Sequence, residues 1–195
     1  MPKIYEYLGI VIFFYSKEHE PIHVHARYGR FETKAEFLLL DGKIVEIRLK
    51  SVKRAKPLAG KDLSNFKTFL ETYSDQIIKK WIDFFVYKKD VKFERISKRL
   101  KSKMRIIDET LPVDQITDVK RAKYLGDYVM RVLFSDGSEQ AVDFKPFLKK
   151  SSHPVIRKYL NEEKFKKFKI THGNINWNDY ELIFPIEDLY KGQII

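Results

Sequence analysis

The residues best suited to chemistry lie together near the start of the chain. The segment Glu18-His19-Glu20-Pro21-Ile22-His23-Val24-His25 holds three of the five histidines and two carboxylates. Side chains of an extended strand repeat their direction every second residue, so His23 and His25 are predicted to project from one face, about 6.5 to 7 Å apart between Cα atoms. Two imidazoles in this arrangement can hold a metal ion, exchange protons with a substrate or contact a phosphate.

One interpretation makes His23 and His25 the catalytic acid and base of a metal-independent ribonuclease, because imidazole titrates near neutrality. Arg27, Arg30 and Tyr28 would then stabilise the phosphate. Arg27 shares the face of His25, whereas Tyr28 points to the opposite face. A loop or a facing strand therefore has to complete the site.

A second interpretation is a metal site in which His19, His23 and His25 bind zinc, with Glu18 or Glu20 within reach. No zinc signature with further ligands at defined distances is visible. No cofactor is therefore predicted, and zinc stays an alternative. In a third interpretation His23 and His25 are structural or solvent-facing strand residues, held by carboxylates and backbone carbonyls.

Composition restricts the class of protein. The chain has 195 residues and 44% hydrophobic content, which is enough for a substantial core. It has no cysteine, which excludes disulfides, thiolate zinc sites and thiol nucleophiles. The start lacks the pattern of a secretory signal, and no apolar run is long enough to cross a bilayer. We expect a cytoplasmic protein with no membrane partner.

The positive charge is concentrated in the front of the chain. The net charge is +11, and residues 106–195 carry as many acidic as basic residues, so the whole excess lies in residues 1–105. Such asymmetry is typical of a polyanion-facing domain joined to a neutral one. The residues predicted to bind RNA or DNA phosphates are Arg27, Arg30, Arg48, Lys50, Lys53 and Arg54. The alternative is a lysine-rich solvated surface.

Hydrophobic patterning predicts an α+β protein of two small domains, each a short, mostly antiparallel sheet covered by helix. In residues 1–105, a basic histidine-containing domain, a four-stranded meander is predicted at Ile10–Tyr15, His23–Tyr28, Arg30–Leu40 and Lys43–Leu49. Asp41-Gly42 is a hairpin signal. An apolar stripe predicts a helix from Asp62 to Phe85, followed by a basic connector that reads equally as strand or helix.

In residues 106–195 strands are predicted at Ile116–Lys123, Tyr128–Phe134, Gln140–Phe144, Phe168–His172, Ile175–Trp177 and Leu182–Phe184. Asp136-Gly137 and Gly173-Asn174 are predicted turns. A helical stretch interrupted at Pro154 is predicted between Lys145 and Lys166. This neutral domain is predicted to associate with a protein partner.

Both halves resemble known bacterial families. The front half is similar to Domain of Unknown Function 4160 at Met1-Pro2, Phe14, Glu18-His19, Pro21 and His23-Val24-His25-Ala26-Arg27-Tyr28-Gly29. The back half is similar to Domain of Unknown Function 2442 at Tyr128, Leu133-Phe134, Asp136-Gly137, Asp143, Phe165, Ile175, Trp177, Pro185 and Leu189-Tyr190. The resemblance implies a toxin–antitoxin-like module with a regulatory or nuclease-linked role.

These observations favour a regulatory protein that engages nucleic acid, or a partner associated with it, over an enzyme. The alternatives are a ribonuclease-like toxin that uses His23 and His25, with the back domain as its tethered restraint, and a purely structural interaction module.

Overall fold

The seven strands that the structure describes before residue 110 form one sheet, and the last of them lies beyond the predicted boundary at residue 105. The part of the chain that forms this sheet is called the front half, and the part from residue 116 onward is called the back half. The computed structural model describes residues 3–17, 21–100, 106–109 and 116–194. The strands of this sheet are β1 Lys3–Tyr7, β2 Ile10–Phe13, β3 His23–Tyr28, β4 Phe31–Leu40, β5 Lys43–Ser51, β6 Glu94–Ile96 and β7 Ile107–Glu109. Their spatial order is β6-β1-β2-β3-β4-β5-β7. Neighbouring strands are antiparallel except at the two edges, where β6 runs parallel to β1 and β7 runs parallel to β5.

The predicted meander is confirmed as β2 to β5, and it gains β1 and the two edge strands. Asp41 and Gly42 form the turn between β4 and β5 and have φ values of 51° and 73°. Both angles suit the primed turns that join two-residue hairpins. Along β3, successive side chains alternate between the two faces of the sheet, as the period of a strand requires.

Helix α1, Gly60–Phe85, covers one face of the sheet. It begins two residues before the predicted start and ends at the predicted end. Its predicted apolar stripe packs against the strand residues of that face, including Val24 and Ala26 of β3. Phe66 and Phe69 of the helix are fully buried there. Burying a large apolar side chain contributes about 1.5 to 3 kcal/mol, so this stripe fixes the helix on the sheet.

The back half contains two three-stranded sheets and several short helices. The first sheet has the order β10-β9-β8, from β8 Val119–Gly126, β9 Val129–Phe134 and β10 Glu139–Asp143. The second has the order β11-β12-β13, from β11 Phe168–Thr171, β12 Asn174–Trp177 and β13 Leu182–Ile183. The helices are α2 Lys145–Lys150, α3 Pro154–Arg157, a 3-10 turn Lys158–Leu160, α4 Glu162–Phe165 and α5 Ile186–Lys191. The predicted α+β class is therefore confirmed.

One predicted turn of the back half lies one residue too late. His172 and Gly173 form the turn, with φ values of 51° and 75°, and Asn174 already belongs to β12. A Cβ on Gly173 would lie 2.3 Å from Oδ1 of Asp118, so no larger residue fits there. The turn therefore depends on a contact with residue 118, which local sequence does not reveal.

The back half packs against the sheet face that α1 leaves uncovered. Phe13 and Tyr15 of the front half form one buried cluster with Tyr180 and Ile183 of the back half. Ser16 joins the same contact, because its backbone N–H donates to the carbonyl of Ile183 at 3.0 Å and its hydroxyl accepts from the N–H of Ile183 at 3.0 Å. The sheet of the front half is thus covered on both faces.

A second contact between the halves joins α1 to the start of α3. The imidazole of His153 stacks on the ring of Phe84 with 3.9 Å between centroids. Its Nδ1 accepts from the backbone N–H of Val155 and caps α3. Burial lowers the pKa of this imidazole, although Asp90 opposes the effect. His153, to which the sequence assigned no role, is therefore part of the interface.

None of the helices in the described part of the chain combines the length and the apolarity needed to traverse a bilayer.

Candidate active site

His23, His25 and Arg27 lie on the same face of β3, as their spacing predicted. Each is 3 or 4% exposed, whereas Tyr28 on the opposite side is 44% exposed. The face they occupy is the one covered by the back half. Glu18, His19 and Glu20 lie outside the described residues.

A buried carboxylate organises this face. Glu32 of β4 is directly opposite Arg27 in the antiparallel pair of β3 and β4, and it is 1% exposed. Its Oε1 accepts from the hydroxyl of Tyr15 at 2.8 Å and from Nδ1 of His25 at 2.8 Å. Its Oε2 accepts from Nε of Arg27 at 2.9 Å and also from Nη2. Glu32 therefore joins β3, β4 and the segment that follows β2 through one carboxylate.

Charge pairing keeps this buried group ionised. Burial alone would raise the pKa of the Glu32 carboxyl, but the Arg27 guanidinium and His25 lower it to about 2. Burial would lower the pKa of the Arg27 guanidinium, but the Glu32 carboxylate raises it above its usual value. The pair is thus a fixed, internally neutralised dipole beneath His25.

The hydrogen bonds of the two histidines define their tautomers. A carboxylate and a carbonyl only accept, so Nδ1 of His25 donates to Glu32 and Nδ1 of His23 donates to the carbonyl of Pro21 at 2.7 Å. In both rings Nε2 is then the nitrogen that carries the lone pair or the second proton. The two ring centroids are 5.3 Å apart. Both imidazoles are therefore anchored through Nδ1, one to a carboxylate and one to a carbonyl.

The two histidines line a cavity of about 360 Å³ between the halves of the chain. Tyr15 lies beside them, and its ring is 4.4 Å from that of His25. The cationic residues of the wall are Lys17, Lys34 and Lys53. Pro185, Glu187 and Asp188 contribute the opposite wall from the start of α5. The cavity thus combines two imidazoles, three ammonium groups and two carboxylates.

The six cationic residues predicted to bind nucleic acid do not form one surface. Arg27 is buried and forms an ion pair with Glu32, so its guanidinium is not accessible to a phosphate outside the protein. Arg48 is bonded to Glu46 at 2.6 Å, and Lys50 to Glu36 at 2.9 Å.

The other three lie nearer the back half. Arg30 is 3.1 Å from Asp118, and Lys53 alone of the six lines the histidine cavity. Arg54 stacks on the ring of Tyr190 at 3.4 Å and donates to Glu187 at 2.7 Å and to Thr117 at 3.0 Å. Arg54 therefore connects the two halves of the chain, and its predicted contact with nucleic acid stays a prediction.

Several residues of the site were missed from the sequence. Glu32 and Lys34 could have been found, because the short turn at Gly29 places Glu32 opposite Arg27 and Lys34 opposite His25. Tyr15 and Lys17 come after β2, and no sequence motif marks them as residues of the site. Glu187 and Asp188 carry no signal at all, because they reach the cavity only when the back half packs on the sheet.

The described part of the chain contains no group of three or more histidine, aspartate or glutamate side chains placed to hold a metal ion. His23 and His25 thus have no third ligand there, and His19, the remaining predicted ligand, lies outside the described residues.

Each half of the chain matches a known family. Residues 9–82 match the family described as Domain of unknown function (DUF4160), and residues 119–194 match the one described as Protein of unknown function (DUF2442). Neither a curated protein nor a solved structure matches the chain. His23, His25 and Glu32 lie in the first match, whereas Glu187 and Asp188 lie in the second. The chain therefore joins a DUF4160 region to a DUF2442 region, and the predicted resemblance of both halves is confirmed.

Proposed function

We propose that the histidine cavity is a proton-transfer site for RNA, partly covered by the back half of the chain. The observation that carries this proposal is that two imidazoles, each anchored through Nδ1, line one cavity together with cationic side chains. Metal-independent cleavage of a phosphodiester uses a base and an acid, and two imidazoles are able to fill these roles.

The hydrogen bonds assign the two roles. His25 is proposed as the acid, because its Nδ1 donates to a carboxylate and a carboxylate stabilises an imidazolium. His23, whose Nδ1 donates to a carbonyl, is proposed as the base. Nε2 of His23 takes the proton of the 2′-hydroxyl, whose oxygen then bonds to phosphorus. The bond from phosphorus to the 5′-oxygen breaks, and that oxygen receives the proton of His25, which gives a 2′,3′-cyclic phosphate and a 5′-hydroxyl.

The lysines of the cavity supply charge to the phosphate. Lys17, Lys34 and Lys53 lie in its wall, and an ammonium group stabilises the extra negative charge of the pentacoordinate transition state. Lys34 also contacts Glu36 at 2.7 Å, so part of its charge is already neutralised. Lys53 is 77% exposed and 3.9 Å from Glu187, and it is the cation with most freedom to reach a phosphate.

His23→Asn and His25→Asn test the proposal, because asparagine keeps a donor near the position of Nδ1 but exchanges no proton. We expect each variant to cleave total RNA at least about 100-fold more slowly in chelator, since general acid–base catalysis contributes about 100- to 10,000-fold. His172→Asn, at an exposed turn with a φ of 51°, is the matched control. Equal rates in all four proteins would exclude the histidines from the reaction.

The proposal includes a restraint by the back half. Asp188 places a carboxylate in a cavity that has to receive a phosphate. We expect Asp188→Asn to bind single-stranded RNA at least about fivefold more tightly, because a like charge about 4 Å away costs about 1 kcal/mol even when water screens it fully. The measurement is fluorescence anisotropy with labelled RNA, and Asp127→Asn on the exposed turn before β9 is the control. Unchanged or weaker binding would contradict a restraint at this position.

Binding without cleavage, as in a regulatory protein, is the second candidate. It is favoured by the net charge of +11, all of it contributed by residues 1–105. The same experiments separate the two functions. RNA binding that is stronger in dilute salt, together with intact RNA for the unsubstituted protein and for Asp188→Asn, would establish the second and exclude the first. We also propose a role in a toxin–antitoxin-like module, which rests on the resemblance of the two halves alone.

A further inference from the structure

A second cavity, separate from the histidines, lies wholly among residues of the back half. Its volume is about 450 Å³, within the range of about 300 to 1,000 Å³ that is usual for small-molecule sites. The wall is built by the 3-10 turn, α4, β11, β12 and the turn that follows β12. Trp177 also lines it, although this residue is only 1% exposed.

Three lysines of this wall have no anionic partner in the described structure. Lys164, Lys167 and Lys169 line the cavity, are exposed, and take part in no ion pair within the described ranges. The neighbouring Lys166 differs, because it contacts Glu163 at 3.1 Å and Glu162 at 3.4 Å. Three like charges at one cavity repel each other, and a bound anion relieves this repulsion.

The carboxylates of the wall are already engaged. Glu181 accepts from Lys158, from the hydroxyl of Tyr159 at 2.6 Å and from the amide of Asn178 at 2.8 Å. Asp179 is 3.6 Å from Lys3 of the front half. Neither carboxylate neutralises the three lysines, so the cavity keeps an excess of positive charge.

An unpartnered polar side chain marks where a ligand would bind. Asn176 is 5% exposed and lies directly across the β11 and β12 pair from Lys169. Asn176 lines the cavity, and its side-chain amide forms no hydrogen bond with another residue that the structure describes. Its amide atoms are not sealed from solvent, unlike Oδ1 of Asn174, so they are accessible to a molecule in the cavity. A ligand with acceptor and donor atoms would satisfy them.

We propose that this cavity binds a small phosphate ester of the size of a nucleoside diphosphate. Lys164, Lys167 and Lys169 bind the phosphate oxygens through charge-assisted hydrogen bonds, and Asn176 completes the contact from the floor. The site is independent of the histidine cavity and does not rest on the function proposed for it. Small phosphate esters are favoured over an RNA strand because a volume of about 450 Å³ is that of a small-molecule site.

Calorimetric titration with adenosine 5′-diphosphate tests the proposal, with inorganic pyrophosphate and adenosine as companion probes. We expect the diphosphate to bind, adenosine to fail, and Lys167→Gln with Lys169→Gln to weaken binding at least about tenfold. Both lysines are exposed, so the variant should fold, which the Trp177 fluorescence of the free protein verifies. Lys166→Gln is the matched control and should bind as the unsubstituted protein does.

The companion probes identify which part of the ligand is recognised. Pyrophosphate that binds as tightly as the diphosphate would show that the phosphates alone are bound, and tighter binding of the diphosphate would show that the nucleoside also contacts the site. Asn176→Leu should weaken either ligand. Absence of binding by both phosphate compounds, or an equal loss in Lys166→Gln, would overturn the proposal without touching the RNA experiments.

Discussion

Replacement of Glu32 by glutamine is expected to lower the free energy of unfolding by about 3 to 5 kcal/mol. The substitution leaves the Arg27 guanidinium buried without its counter-charge, and desolvation of a lone charge is not repaid. It also weakens the acceptors of Tyr15 and His25. Urea unfolding at neutral pH, followed by tryptophan fluorescence, measures the change.

Glu46→Gln is the control for this prediction. Glu46 also bonds to an arginine, Arg48, but that arginine is 42% exposed. An exposed ion pair contributes about 1 kcal/mol or less, so the control should be close to the unsubstituted protein. If both variants lost a similar free energy of unfolding, burial of the pair of Glu32 and Arg27 would add nothing to the contribution that the pair makes to stability.

The same carboxylate predicts how stability depends on pH. The pKa of Glu32 is lowered from 4.5 to about 2, so the folded state holds the ionised form and the unfolded state binds the proton more readily. The stabilisation is present in full above about pH 4.5 and is lost as pH falls toward 2. Unfolding curves of Glu32→Gln should therefore change less over this interval than those of the unsubstituted protein.

Replacement of Phe13 by alanine is expected to uncouple the two halves and to cost about 3 to 5 kcal/mol. Phe13 is fully buried, and its ring is 4.9 Å from that of Tyr180 and 5.3 Å from the guanidinium carbon of Arg27. The substitution leaves a void where the back half meets the sheet. The chain has two tryptophans, Trp81 in α1 and Trp177 in β12, so each half can be followed separately.

Single-tryptophan variants carry out this measurement. Trp177→Phe leaves a reporter in the front half, and Trp81→Phe leaves one in the back half. The two urea midpoints should coincide when Phe13 is present and separate when it is alanine. Phe93→Ala, at a residue that is 44% exposed, should leave the midpoints together. Midpoints that already differ with Phe13 in place would show that the halves unfold independently.

Most of the front sheet could be predicted because each of its signals is local. β3, the Asp41-Gly42 turn and α1 depend on side-chain period or on turn residues within one segment. β1 was missed although Leu8 and Gly9, both with positive φ, form the turn that follows it. β6 and β7 could not be predicted, since strands of three residues in parallel pairing depend on where the rest of the sheet lies.

The site was predicted in part for the same reason. The shared face of His23, His25 and Arg27 follows from the period of a strand, and Glu32 follows from hairpin register. The ionic partners of the cationic residues do not follow from the sequence, because a sequence shows which residues are charged but not which of them lie close together. Arg54 and Glu187 are 133 residues apart and meet only when the halves pack together. The division at residues 105 and 106 stays a prediction.

The segment that links the halves also finishes the front sheet. β6 and β7 both come from residues 94–109, and they lie at opposite ends of the strand order. A fragment that ends at residue 90 would lack both strands. The backbone donors and acceptors of β1 would then be unpaired at one edge of the sheet, and those of β5 would be unpaired at the other. Unpaired sheet edges form hydrogen bonds with strands of other copies of the protein, which leads to aggregation. A soluble fragment of the front half therefore has to include the linker through residue 109.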